Sequence, residues 1–148
     1  MIELKVEATQ IEAWIKGVME GLPENFRPSF QRIAFQVLAS VQRKLSGEVL
    51  QVRSGKLLHS AHARVETTTD SIAAIVQAGA LAPYAWIHEY GATVTVPEHM
   101  STSRLGKKFV VQAHQAVFPE RSYMRTSLTE NQAWILDEID RAMQKLAA

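Results

Sequence analysis

The sequence predicts an α+β fold: a mainly antiparallel β-sheet packed against two N-terminal helices and one C-terminal helix. Three observations predict it. Short runs at 2–7, 61–67 and 72–78 alternate apolar and polar residues, and period two is the mark of a strand that buries one face. Longer apolar stripes repeat at helical spacing near both ends of the chain. Each such element needs a facing layer, which helices set against a sheet provide. The chain has 148 residues, which suits one domain, 1–148, with one core.

The elements follow in order. Ile2, Leu4 and Val6 alternate with Glu3, Lys5 and Glu7, giving a half-buried strand. Thr9 with Glu12 is a capping box, and Ile11, Trp14, Ile15, Val18 and Met19 extend a first helix to about Gly21. Pro23 and Pro28 punctuate the next stretch. Phe30, Ile33, Ala34, Val37, Leu38, Val41 and Leu45 form a 3.6-period stripe, with Gly47 just past its end as a left-handed stop. Residues 52–60 read as a turn and a short helical turn with Ser54 as N-cap. Thr68-Thr69-Asp70-Ser71 is a polar turn between two strand-like runs, a β-hairpin. Pro83 to Gly91 reads as a short helix with proline near its start and glycine at its end. Thr93 to Val96 and Phe109 to Val111 are strand-like, and Val117-Phe118 extends the sheet before Pro119. Glu98 to Lys107 shows no period and reads as a long loop. Met124, Leu128, Ile135, Ile139, Met143 and Leu146 share one stripe of a last helix. Ser127 and Glu130 have capping-box spacing, while Tyr123 and Met124 place its start nearer Ser122. Phe30, Ile33, Val37, Leu38, Val41, Leu128, Ile135 and Ile139 are the expected core.

Composition narrows the function. Hydrophobic residues make up 47% and charged residues 21%, ordinary for a globular protein. No stretch approaches the ~20 apolar residues of a membrane span, and the N-terminus lacks a secretory pattern. No membrane partner is therefore expected. Net charge is +1 with mixed signs, which argues against a dedicated nucleic-acid surface. The chain has no cysteine, which excludes disulfides, thiolate–metal sites and cysteine nucleophiles.

No catalytic set emerges. His88-Glu89 lacks the second histidine of a zinc-protease helix, since Ala92 stands there. His59 and His62 straddle an expected helix-to-strand change, so surface histidines are the simpler reading. His99 and His114 have no ligand spacing. Ser54-Gly55-Lys56 lacks the upstream glycine of a phosphate loop and reads as a capped turn. No metal or cofactor is expected. Tyr84, Trp86 and Tyr90 concentrate aromatic mass in one segment without the basic groove of a base-stacking platform. They read as core or subunit interface.

Three stretches carry a resemblance. Arg53-Ser54-Gly55-Lys56-Leu57, with Ser60, resembles the "R-S/T-G-x-L-x-x-S" lead into the first hairpin of the head–tail joining and tail-completion proteins of tailed bacteriophages, the minor-tail and virion-morphogenesis family. Tyr84-Ala85-Trp86-Ile87-His88-Glu89-Tyr90-Gly91 resembles their "Y-A-x-x-H/E-x-G" segment. Phe118-Pro119-Glu120-Arg121-Ser122-Tyr123-Met124-Arg125 resembles their "I-P-A-R-P-F-L-R" lead into the last helix. Order and rough spacing agree from Arg53 to the C-terminus. Glu120 departs from the family's usual alanine and Ser122 from its proline.

The resemblance implies a structural, non-enzymatic virion protein at the neck or head-proximal tail end, present in the host cytoplasm during assembly. It implies a homo-oligomeric ring, six-membered by analogy with the tail tube, that joins the tail tube to connector proteins. DNA would pass through such a ring without sequence-specific recognition. Candidate interface residues are Tyr84, Trp86, Ile87, Tyr90 and Arg121. Met100, Arg104 and Lys107, in a segment long enough to reach a neighbour, join them. Arg53, Ser54, Gly55, Leu57, Gly91 and Pro119 are shape-setting. Gly55 and Gly91 sit at chain reversals where a side chain would clash, and Pro119 directs the chain into the last helix. A small hydrolase or ligand-binding α+β domain is the alternative. A toxin–antitoxin or nucleic-acid regulator fits less well, given the near-neutral charge.

Overall fold

A computed structural model describes residues 2–7, 22–50, 55–69, 71–80, 82 and 84–147. The expected first helix, over 9–21, lies outside the described residues. The first described helix, α1, spans Leu22–Arg43. It therefore starts well before Phe30 and runs through Pro28. That proline sits in the second turn, where its missing N–H removes only the bond toward Glu24. A π-type turn over Lys44–Glu48 ends it, with the N–H groups of Val49 and Leu50 both donating to the Lys44 carbonyl. Gly47 inside that turn has φ 140°, a region that L side chains avoid.

A short helix α2 covers Lys56–Ser60, preceded by Gly55 at its N-cap. The expected cap, Ser54, lies outside the described residues. Three strands form one antiparallel sheet: β1 (Ile2–Glu7), β2 (His62–Thr67) and, between them, β3 (Ile72–Ala78). Leu4 and Ala63 both stand opposite Val76. β2 alternates exposed and half-buried residues, while every residue of β3 is buried. The expected one-sided burial of β3 is thus replaced by burial on both faces. Ala73, Ile75 and Gln77, on the face opposite Ile72, Ala74 and Val76, are buried as well, and the Gln77 carboxamide accepts from Arg64 and bonds His62 Nε2 at 3.1 Å.

α1 lies across β2 and β3, and the last helix, α4 (Met124–Ala147), packs beside α1 and touches β1. The core is Phe30, Ile33, Val37 and Val41 of α1 against Ile72, Ala74 and Val76 of β3, closed by Tyr123, Met124, Ile135 and Ile139. The α+β class with antiparallel pairing holds. Two expected core residues do not reach the interior: Leu38 and Leu128 are only partly buried, at the margin of the stripe. Leu146 is exposed. Ile33→Ala is expected to cost about 2–5 kcal/mol and Leu38→Ala only about 1 kcal/mol. Urea unfolding of both variants checks this, and the reverse order would displace the buried face of α1.

Polar pairs run along the α1–α4 contact. Arg32 Nε donates to buried Glu138 at 2.7 Å, Gln36 donates to buried Asn131 at 3.2 Å, and buried Lys44 donates to Glu130 at 2.7 Å. Such groups are tolerated because each has a partner.

Between Tyr90 and Ser122 no residue is buried. This stretch holds β4 (Ala92–Val96), β5 (His99–Thr102), β6 (Lys108–Val111) and β7 (His114–Phe118). β4 pairs with β7 and β5 with β6, all antiparallel, and neither pair joins the three-stranded sheet. Two expectations are corrected here. Val117-Phe118 extends no central sheet, and 98–107 is not a loop but a strand, a tight turn and the approach to the returning strand. The four strands make one doubled ribbon leaving the body.

Candidate assembly site

The ribbon's chemistry follows from its register. Directly opposed residues share a face, so Ala92 with Phe118, Val94 with Ala116 and Val96 with His114 line one side near the root. Thr93, Val117, Thr95 and Gln115 line the other. Farther out, Met100 stands opposite Val110 and Ser101 opposite Phe109. The turn is closed by backbone bonds from Ser103 to Lys107 (2.8 Å) and from Gly106 to Ser103 (2.9 Å). Leu105 at the tip is 96% exposed. Nine of the twelve large apolar residues exposed among the described ones lie between Tyr84 and Phe118. Scattered exposed leucines are normal, and this concentration makes the segment the candidate contact surface.

The ribbon's root is held by a carboxylate. Helix α3 (Ala85–Tyr90) turns Ala85 and Glu89 inward, one helical turn apart, and leaves Trp86 and Tyr90 facing out. Glu89 is fully buried. Its Oε2 accepts from the N–H groups of Tyr123 and Met124, both at 2.9 Å. Its Oε1 accepts from Ser122 Oγ at 2.7 Å, Arg125 N at 3.0 Å and Arg125 Nε at 3.2 Å. Those backbone donors are the unpaired first N–H groups of α4, where the helix dipole also favours an anion. Burial by itself pushes the Glu89 carboxyl up, but the bonds from Met124, Arg125, Ser122 and Tyr123 outweigh it. The net position is below the ordinary carboxylate value.

The return contacts cap the other helix. Arg125 Nη2 donates to the Glu89 carbonyl at 3.0 Å and to Glu120 Oε1 at 2.6 Å, while Arg121 N donates to the His88 carbonyl at 2.8 Å. The Arg125 guanidinium also lies 4.7 Å from the Tyr90 ring centroid, a cation–π contact. The end of α3 and the start of α4 thus satisfy each other's terminal groups. The Ser127–Glu130 spacing makes no cap, in keeping with the earlier start read from Tyr123 and Met124: Ser127 is buried within the helix and donates back to the Tyr123 carbonyl.

Gly91 starts the ribbon at φ 70°. A Cβ there would lie 2.9 Å from Glu120 N and 3.0 Å from Phe118 O, both backbone atoms. The two strands converge too closely at the root for any other residue.

Beside the root lies an open cleft of about 970 Å³. Gly55, Leu57 and Leu58 form one wall, Tyr84, Ile87 and His88 another, and Val117 to Pro119 with Arg121 a third, over a floor of Leu45, Val49 and Leu50. Three segments far apart in sequence therefore meet around one feature. Of the candidate interface residues, Tyr84, Ile87 and Arg121 line this cleft, with Gly55, Leu57 and Pro119 from the shape-setting group. Trp86 and Tyr90 lie on the outer side of α3, and Met100, Arg104 and Lys107 are exposed on the distal ribbon. Arg53 and Ser54 lie outside the described residues. Glu89 and Arg125 were not among the candidates. The available signal was a charged residue on the same helical face as Ala85.

Among the described residues, no three or more histidine, aspartate or glutamate side chains converge as a metal site. No described helix is long and apolar enough to cross a membrane. In comparison with known proteins, no family model, no curated protein and no solved structure matches the chain.

Proposed function

We propose that this chain is a structural subunit of a tailed-phage neck, forming a homo-oligomeric ring that joins the tail tube to the head connector. One observation carries the reading. The three segments that resemble head–tail joining proteins, around Gly55, Tyr84–Gly91 and Phe118–Arg125, are distant in sequence yet converge on one cleft and on the root of an exposed ribbon. A ring subunit needs a stiff body and a protruding element that meets its neighbours. The latched root supplies the first and the apolar ribbon the second. The aromatic face of Trp86 and Tyr90 beside the root adds residue types that anchor interfaces. The role is one of fit, with no catalytic step, and the ring leaves a bore for DNA.

Deletion of the gene from its phage is expected to leave DNA-filled heads and separate tails in the lysate, seen by electron microscopy. Labelled protein should be found at the neck of wild-type particles. Purified virions that lack the protein, or deletion phage with normal particles, would overturn the reading.

A further inference from the structure

Charge is mixed along most of this chain but not along the ribbon. From His99 to Pro119 there are three cations, Arg104, Lys107 and Lys108, and no acid, so all fifteen acidic residues lie elsewhere in the chain. The three cations gather at the tip. Arg104 is in the turn, Lys107 is bonded across it to Ser103, and Lys108 stands opposite Thr102. Each is exposed, and none makes an ion pair with a described residue. The mixed signs of the whole sequence conceal this local separation.

The ribbon is also layered along its length. Counted from the tip, the first two cross-strand levels hold Ser103 with Lys107 and Thr102 with Lys108, hydroxyls and ammonium groups only. The next two hold Ser101 with Phe109 and Met100 with Val110. The cationic end is thus roughly 7–10 Å deep at about 3.4 Å per residue, and large apolar side chains other than Leu105 begin behind it.

We propose that the ribbon tip enters a groove of duplex DNA and holds it through its phosphates, without reading sequence. Lysine, arginine, serine and threonine are the residue types that bond phosphate oxygens. A two-stranded ribbon fits the major groove, about 12 Å wide and about 8.5 Å deep, and that depth matches the cationic end. Leu105, 96% exposed at the apex, reaches the groove floor, where thymine methyl groups offer it an apolar contact. An anionic bilayer suits the ribbon less well. The ammonium groups would have to enter it before Phe109 and Met100 reached hydrocarbon, and buried charge there is costly. Phe109, Met100 and Val110, nearer the body, remain free for protein neighbours. The contact is with DNA that passes through the ring, and so rests on the neck reading.

The test is fluorescence anisotropy of the full chain with a short labelled duplex of random sequence. With three phosphates contacted per copy, log affinity should fall with log salt at a slope of about −2.7, so going from about 20 to about 50 mM salt weakens binding about 12-fold. Lys107→Gln with Lys108→Gln should cut the slope to about −0.9 and weaken binding at the lower salt by at least about tenfold. Lys56→Gln with Lys145→Gln removes the same charge from exposed positions elsewhere and should leave slope and affinity within about twofold of wild type. Melting temperatures should not change in either variant. Three results would overturn the proposal: no duplex binding by wild type at about 20 mM salt and up to about 0.1 mM protein, equal weakening in both variants, or binding to phosphatidylglycerol vesicles with none to the duplex. None of these readouts involves a virion. A chain absent from virions that binds duplex in this way sinks only the neck reading. A virion neck protein whose Lys107→Gln and Lys108→Gln variant binds duplex like wild type sinks only the DNA contact.

Discussion

Replacing Glu89 with alanine is expected to lower the unfolding free energy by about 3 kcal/mol at neutral pH, because it leaves buried helix N–H donors without an acceptor. For a domain of this size that is a fall of roughly 10 °C in melting temperature. No other single side chain described here serves so many donors from so buried a position. Glu89→Gln keeps the shape but loses the charge and presents an amide to N–H donors, so a loss of about 1–2 kcal/mol is expected. The acid limb separates the variants further. The folded-state value of Glu89 lies below its ordinary one, so its contribution is fully present above about pH 4.3, the unfolded value. It is lost as pH falls through the lower folded value. Wild type should therefore converge on Glu89→Gln in acid and diverge from it above pH 5. Equal stabilities at pH 7, or parallel acid limbs, would show that the cap contributes nothing.

Shortening the ribbon should separate folding from assembly. Replacing residues 97–113 with Asn-Gly joins Val96 to His114, an opposed pair, through a two-residue turn suited to antiparallel strands. The excised stretch contains no buried residue. Melting temperature is therefore expected to change by no more than a few degrees. Infectious titre should fall by at least about a hundredfold, the loss expected when an interface anchor is removed from every joint. Plaque assay with calorimetry of the purified variant checks both halves. A normal titre would remove the ribbon from the joint, and a collapsed melting temperature would make it part of the fold.

The residues that announced their structure in sequence are those whose partners are continuous and apolar. Phe30, Ile33, Val37 and Val41 repeat at 3.6 and are buried on one helix. Ala63 and Val65 alternate on β2, with inward positions half-buried. Of the ribbon, Thr93 to Val96 and Phe109 to Val111 were legible as strands, but His99–Thr102 was not, because neither face there is buried and no selection for alternation marks it. The start of α4 was legible near Ser122, but the group that caps it was not. A local Ser127–Glu130 pair imitates a capping box, whereas the acceptor used is Glu89, about 35 residues earlier. A glutamate at an inward helical position has no meaning until its donors are known. Lys44 and Glu138, buried with partners on the opposite helix, were invisible in the same way.

The doubled strands of the ribbon have a mechanical consequence. Both leave the body at one place, between Gly91 and Glu120, and both end at one turn. A pull on the tip is shared by two covalent backbones side by side. The cross-strand hydrogen bonds lie transverse to that load and are neither unzipped nor sheared by it. Tension therefore arrives undiminished at the root, where the first non-covalent elements in its path are the Glu89 carboxylate and the Arg125 clasp. Pulling moves the strain away from the slender part of the molecule and onto the axis of its longest helix, α4.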